Sequence, residues 1–355
     1  MQGSVTIKAP RKTVVPKTEL ERRGTRFKFG APVTAAVRLG DTVVASFGDG
    51  MLRFFRGEAM PQEIQVHDGV VLCMVADGDK HVLTGGDDGR FLRTSLAGEI
   101  EVLAEFGTKW VDCVAASHGH YACSSGREAH VWAAGQNTPT VFEHASTVGG
   151  MAFDPKGKRL AVAYYGGATV WAREKRWKSS KVFWKGFHAH TCFSPDGKYL
   201  VTAMQENALH AWRLRDKGNF AMPGYPAKIK SLAWVGETPH LVTSGADEAI
   251  AWPFDGKDGP MNRKPVCVAY NDDEMVTCVT AFPGQEAVFV GFRDGAVQLA
   301  ELDETQNAIV ISGTTGAEVT AIEVSGVSTQ LFVGDAGGNV LWAPLRAGGS
   351  FAGNV

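Results

Sequence analysis

The sequence predicts an all-β fold, a single β-propeller of four-stranded antiparallel blades, on three observations. The chain falls on itself eight times: segments starting at Val33, Val70, Trp110, Val148, His188, Ile229, Val276 and Val319 follow one another every 37 to 47 residues. The clearest copies are VGGMAFDPKGKRLAVAYYGGATVWAR (Val148–Arg173) and HAHTCFSPDGKYLVTAMQENALHAWRL (His188–Leu214). Five of the nine Trp (Trp132, Trp171, Trp212, Trp252 and Trp342) occupy one slot, the end of the third apolar run of their segment. Each segment is also cut into short β-rich runs by Gly, Asp, Asn or Pro clusters, as in antiparallel meanders. A period of about 40–45 residues with four strands per unit is the mark of a propeller. Eight segments favour eight blades; seven is the alternative, with the strand sets at Val33 or Val319 as irregular extensions.

The unit at Ile229 illustrates the elements in order. IKSLAWV is a first strand, GETP a turn, HLVTSG a second strand, ADE a tight turn and AIAWPF a third strand. A fourth, outer strand precedes each first strand, at Arg26–Phe29, Glu63–Val66, Glu99–Leu103, Thr138–Phe142, Lys181–Trp184, Val266–Tyr270 and Ala308–Ile311. Before Ile229 the equivalent run, Phe220–Pro226, carries two prolines, which demote it to an edge. After the last three-strand set (Val319–Leu345) only ten residues remain, too Gly-rich for another strand. The unit at Val319 is therefore expected to take its outer strand from Thr25–Phe29, which closes the ring and removes an exposed sheet edge. The expected organisation is a basic N-terminal tail over residues 1–24, one propeller over residues 25–346 and a flexible C-terminal tail over residues 347–355.

Composition narrows the class. Apolar residues make up 44% of the 355 and charged residues 21%, which suits a buried core rather than a disordered chain. A net charge of −2 argues against strong bulk attraction to DNA or an anionic membrane. No apolar run approaches the roughly 18–20 residues that span a bilayer, and the first residues lack the apolar stretch of a secretory signal. The expected location is cytoplasmic. None of the six Cys falls in a CxxC pair. Cys73 and Cys113 hold a first-strand slot that carries Ala36, Met151, Leu232, Val279 and Ile322 elsewhere, so they read as small hydrophobes. Disulfides are not expected in that compartment.

Four stretches carry a family resemblance. FSPDGKYLVTA (Phe193–Ala203), FDPKGKRLAVA (Phe153–Ala163), LTGGDDGRFLR (Leu83–Arg93) and VGDAGGNVLW (Val333–Trp342) resemble WD-repeat β-propeller units. The resemblance spans Thr25 to Arg346, and its repeats are divergent, because no Trp is followed by Asp. It implies seven blades as the usual number and a scaffold for protein partners. It also implies a buried network joining a turn Asp, a second-strand Ser/Thr, a His entering the first strand and the Trp. On that pattern Asp87 with Thr84 and His67 makes most of one network, with Thr94 where Trp would be. Asp335 with Trp342 makes a partial set that lacks the Ser/Thr. A half-satisfied buried network is worse than an apolar substitute, so the remaining units are expected to rely on packing.

The constellations that might carry chemistry are few. His188 and His190 alternate along one strand and are expected to project from one face. Two imidazoles at that spacing can ligate zinc, but Cys192 lies roughly 13 Å from His188 along a straight strand. The preferred reading is of histidines entering a first strand; His118 and His120 fall in a solvent turn. Gly-rich stretches such as Gly85–Gly89 sit in hairpin turns, not between a strand and a helix. No nucleophile motif, phosphate loop or dinucleotide fingerprint is present. No catalytic residue, cofactor or metal is assigned.

Charge layout says more. Arg173–Lys185 carries six Lys/Arg against one Glu, with Trp177, Phe183 and Trp184 interleaved, and residues 1–30 carry eight Lys/Arg against two Glu. Leu232–Leu345 has sixteen Asp/Glu against four Lys/Arg. Strand directions place the loop Arg173–Ser180 and the N-terminal tail on one side of the disc, the wide face. Partner-binding candidates there are Arg173, Lys175, Arg176, Trp177, Lys178, Lys181 and Lys185. Turns on the opposite, narrow face supply an acidic set: Asp87, Asp88, Asp247, Glu248, Asp272, Asp273 and Glu274. The reading that follows is a non-catalytic scaffold or adaptor that binds proteins through rigidly held loops. The alternative is a propeller enzyme, lactonase-like or dehydrogenase-like, with a metal or cofactor in the channel, recruiting His188, Asn271 and Glu274. Binding of an anionic ligand or nucleic acid through the basic patch ranks last.

Overall fold

The computed structural model describes residues 16–302, 307–326 and 330–345. Residues 1–15 of the basic tail and the whole tail over 347–355 lie outside the described residues. The described residues form one ring of antiparallel sheets, seven in number, six with four strands and one with six. Around the axis run the inner strands, among them Val33–Leu39, Val71–Asp77, Val114–Ser117, Val148–Phe153, Leu232–Val235, Val276–Ala281 and Val319–Val324. Short turns return the chain outward strand by strand. The outer strand before Ile229 is Gly218–Met222, which stops at Pro223 as a ladder must when it meets a residue without an N–H.

Counted as hydrogen-bonded sheets, the ring has the seven held as the alternative and not the favoured eight. The cause lies in the segments at Val148 and His188, which share the six-stranded sheet. One strand runs unbroken through Arg159–Arg173 and the next through Trp177–Phe193, where the repeat expects two strands in each. Gly166 and Gly167, at φ of +95° and +140°, turn the first run back on itself. The Arg173 N–H then reaches the Lys158 carbonyl at 2.9 Å. The second run pairs with the first through Phe183 and Phe187, then with Tyr199–Met204 from His188 onward. A side chain at Gly149 would put its Cβ 2.3 Å from the His188 carbonyl oxygen, so glycine is what lets these two inner strands approach.

The core is a set of apolar clusters, each held between neighbouring sheets. Val33, Phe47 and Phe55 meet Phe332, Val340 and Trp342, for example, with the Phe55 and Phe332 rings 5.0 Å apart. Burying each such ring contributes about 1.5–3 kcal/mol. At the rim of the same cluster the Arg53 guanidinium lies over Phe29 and Phe47 at 4.4 and 4.2 Å while it ion-pairs with Asp49 and Glu63.

The ring closes through the N-terminus. Thr25–Lys28 pairs antiparallel with Asn339–Pro344, from Thr25 opposite Trp342 to Lys28 opposite Asn339. Just before it, Glu19–Arg23 forms a single helical turn started by a capping box: Thr18 accepts from the Glu21 N–H and Glu21 accepts from the Thr18 N–H. Leu20 enters the apolar cluster of Phe289, Val297, Val319 and Leu341. Thr18 donates to the Ile311 carbonyl at 2.7 Å. The Glu21 carboxylate accepts from Ser312 Oγ and the Gly313 N–H and pairs with Arg26. Ser312 stands opposite Val297, next to a turn between second and third strands. Residues 18–24 therefore anchor toward the narrow face, which corrects, for this stretch of the tail, the expectation that it shares the wide face with Arg173–Ser180.

Replacing Leu20 by Ala should lower stability by about 2 kcal/mol or more, and removing residues 1–28 should lower the thermal midpoint of the whole ring. An unchanged midpoint by calorimetry would refute closure by this strand. Burial alone would raise the Glu21 carboxyl, but the Thr18 and Gly313 amides, Arg26 and Ser312 hold it below 4.5. Its stabilising effect is thus complete above the unfolded value and is lost as pH falls through the folded one. Glu21→Gln should shrink the difference in midpoint between pH 7 and pH 3.

Candidate functional site

Most polar groups that the repeat brings inward are consumed by the fold. In the unit that starts near Val70, buried His67 bonds Thr84 through Nε2 and Asp88 through Nδ1, both at 2.9 Å. The aspartate is Asp88 and not the expected Asp87. Asp87 is drawn to the Val70 N–H at 2.8 Å, which leaves Asp88 to turn inward and take the Asp68 and Arg90 amides as well. Burial would raise the Asp88 carboxyl, yet His67, Arg90 and those amides hold it at about 2. Burial lowers the pKa of His67, against the opposing pull of Asp88.

Other units fill the same place differently. His188 bonds Thr202 at 2.8 Å and the Trp184 carbonyl at 3.0 Å. Tyr225 takes the place of the histidine beside Thr243 and accepts from Trp252 Nε1 at 2.7 Å. Asp335 receives the Thr315 hydroxyl at 2.7 Å and the Asn339 amide at 2.8 Å. Trp342, expected beside Asp335, donates instead to the Gly57 carbonyl of the neighbouring sheet.

The channel along the axis, about 550 Å³, is lined by Cys73, Asp112, Cys113, His190, Cys192, Lys230 and Ser231. His188 and His190 do not share a face. The pairing shifts between His188 and Thr191, a bulge that sends His188 into the core and leaves His190 on the channel. Burial pushes the Cys113 and Cys192 thiols up to about 12 and raises Cys73 as well, so they are protonated and poor nucleophiles. Asn271 donates to Asp294 at 3.2 Å and lies away from His188, whose ring is already satisfied. Among the described residues no group of three or more His, Cys, Asp or Glu is placed to hold a metal ion.

The basic candidates are split between the faces. Arg173 stands opposite Trp177 at a hairpin tip, so Lys175, Arg176 and Lys178 lie on the wide face. Lys185 follows Phe183, which stands opposite Gly167 at the other end of the strand. It therefore sits on the narrow face, because one strand carries the run from one side of the disc to the other. Trp177 is half-buried against Phe142, Arg173 bonds His120 at 2.8 Å, and Lys178 pairs with Glu174. Lys175, Arg176 and Lys181 are exposed.

Sequence reading missed how far the wide-face charge extends. Turns of this unit and the next two bring Lys156, Lys158, Arg159, Lys198, Arg213, Arg215, Lys217 and Lys257 to the same side. The turn spacing could have shown this; a count of charge along the chain does not. On the narrow face Asp247, Asp272 and Asp273 are exposed and Glu248 and Glu274 half-buried. Asp273 accepts from the Tyr270 hydroxyl at 2.7 Å.

No family model matches the chain. Curated proteins match short stretches. One is the "Ribosome biogenesis protein WDR12 homolog" of Drosophila mojavensis, 25% identical over 114 residues, covering 30% of this chain and 27% of the relative. Another is the "LEC14B homolog" of Prunus armeniaca, 23% identical over 121 residues, covering 34% of this chain and 26% of the relative. The chain thus spans about a quarter of the length of these relatives. Among solved structures, the computationally designed Ika8 protein superposes with a TM-score of 0.73 at 16% identity, over 90% of this chain and 98% of that one. The relatives are WD-repeat proteins and the architecture is a β-propeller, which together support a WD-repeat propeller family. At these identities the likeness reaches the fold and the type of repeat, and no further.

Asp88→Ala should destabilise the protein by about 2–3 kcal/mol, because it leaves the buried Nδ1 of His67 without a partner. Asp87→Ala, which removes one partly exposed bond, should cost about 1 kcal/mol or less. Urea denaturation of both variants tests the assignment, and the reverse order would refute it.

Proposed function

We propose that the protein is a non-catalytic scaffold that docks protein partners on its wide face, around the units at Val148, His188 and Ile229. One observation carries this reading. Lys156, Lys158, Lys175, Arg176, Lys217 and Lys257 are exposed together on this side and make no ion pair among the described residues. Rigid sheets hold these turn-borne charges at little ordering cost on binding. Unscreened like charges of this kind steer an acidic partner and raise its rate of association. WD-repeat propellers generally serve as interaction scaffolds, and the relatives named for ribosome biogenesis fit a role in assembly. Free cysteines, all six unpaired, suit the reducing cytoplasm that we assign as its location. Among the described residues no helix is long and apolar enough to cross a membrane.

The triple variant Lys156→Glu, Lys175→Glu, Arg176→Glu changes only exposed side chains and should leave the thermal midpoint within about 1 °C, as surface substitutions do. Affinity purification from a lysate with mass spectrometry should then lose partners that the unmodified protein captures. An identical partner list would overturn the wide-face reading.

A further inference from the structure

The wide face carries a groove whose lining specifies a ligand. Two cavities, of about 290 and 210 Å³, lie beside one another and share Arg159 and Leu214. The floor of the second is apolar, with Val170, Ala172 and Val182 beside Leu214. Arg159 is fixed at the junction: it pairs with Asp154, donates to the Gly197 carbonyl at 2.7 Å and lies 5.2 Å from the Phe193 ring centre. The far wall is pinned by the Tyr199 hydroxyl, which donates to the Lys257 carbonyl at 3.1 Å. The groove therefore exists before any ligand arrives.

Its rim holds two kinds of cation. Lys178, Lys198 and Arg213 are each matched by a carboxylate, from Glu174, Asp196 and from Asp216 with Asp258. Lys217 and Lys257 have no ion-pair partner among the described residues, and Arg215 approaches carboxylates only at 3.6 and 3.9 Å. The spare positive charge is thus discrete, set between fixed negative charges and next to an apolar floor.

That pattern separates ligand classes. A nucleic-acid backbone presents evenly spaced phosphates, which would meet Glu174, Asp216 and Asp258 as well as the lysines. Single strands also need aromatic platforms, and the one aromatic residue lining the groove, Tyr199, is buried. A peptide can set separate carboxylates between like charges and lay an apolar side chain on the floor. We propose that this groove binds an acidic linear peptide, with an apolar residue over Leu214 and Val182 and carboxylates at Lys217, Lys257 and Arg215. The proposal rests on the scaffold reading and names the chemistry of the partner.

The test is fluorescence anisotropy with a labelled synthetic peptide of Glu and Asp residues around a single Leu, alongside a labelled single-stranded RNA of equal length. The peptide should bind, and Lys217→Glu with Lys257→Glu should weaken it about tenfold. Replacing the Leu of the peptide by Ser should weaken it several-fold with the protein itself unaltered. An unchanged thermal midpoint shows that the double variant is folded. No peptide binding, binding indifferent to the double variant, or RNA bound as tightly as the peptide would each overturn the proposal. The two readings fail separately. Partners lost in the lysate experiment without peptide binding refute the groove alone, whereas peptide binding with an unaltered partner list refutes the wide-face scaffold alone.

Discussion

Pairing between Thr25–Lys28 and Asn339–Pro344 is the constraint on which the rest depends. A ring of sheets has no natural first member, and each sheet buries its faces only against two neighbours. Without the closing strand, Asn339–Pro344 would be a bare edge and the cluster around Phe55, Phe332 and Trp342 would lose its outer wall. The helical turn Glu19–Arg23 adds a second fastening at the same place. Leu20 fills the seam between adjacent sheets, and Glu21 gathers donors from both sides of it. Two ends of the chain, more than three hundred residues apart, thereby hold each other in register.

Once the ring is rigid, its inward polar slots are filled by different chemistries. His67 with Asp88, His188 with a main-chain carbonyl, Tyr225 with Trp252, and Thr315 with Asp335 occupy comparable places. Each solution closes on itself, which is what a buried polar group requires. His67 and His188, which in isolation suggest catalysis or metal binding, are thus committed to structure. What the fold leaves over is electrostatic: a cluster of lysines and arginines without ion pairs on the wide face and exposed aspartates on the narrow one. A net charge of −2 conceals that polarity.

Much of the architecture was legible in the chain because it depends on local pattern. Strand sets, the Trp slot, the outer strands and the closing strand all follow from alternating apolar runs and turn residues. Less of the candidate site was legible, because a site depends on which ends of different strands meet. Lys181 and Lys185 are near neighbours in sequence, yet the strand carries Lys185 to the face opposite Lys175. Lys198, Lys217 and Lys257, distant in sequence, border one groove.

Sequence alone therefore determined the repeat, its four-strand rhythm and the way the ring is closed, since period and turn chemistry act over a few residues. Tertiary structure alone decided finer matters. It chose Asp88 over Asp87, because a main-chain amide reached Asp87 first. It separated His188 from His190 by a bulge, which no alternation rule anticipates. It joined the segments at Val148 and His188 into one sheet, because the unbroken strand Trp177–Phe193 pairs with Arg159–Arg173 on one side and with Tyr199–Met204 on the other. And it gathered cations from three units onto one face, because adjacency around a ring is a property of the closed body and not of the chain.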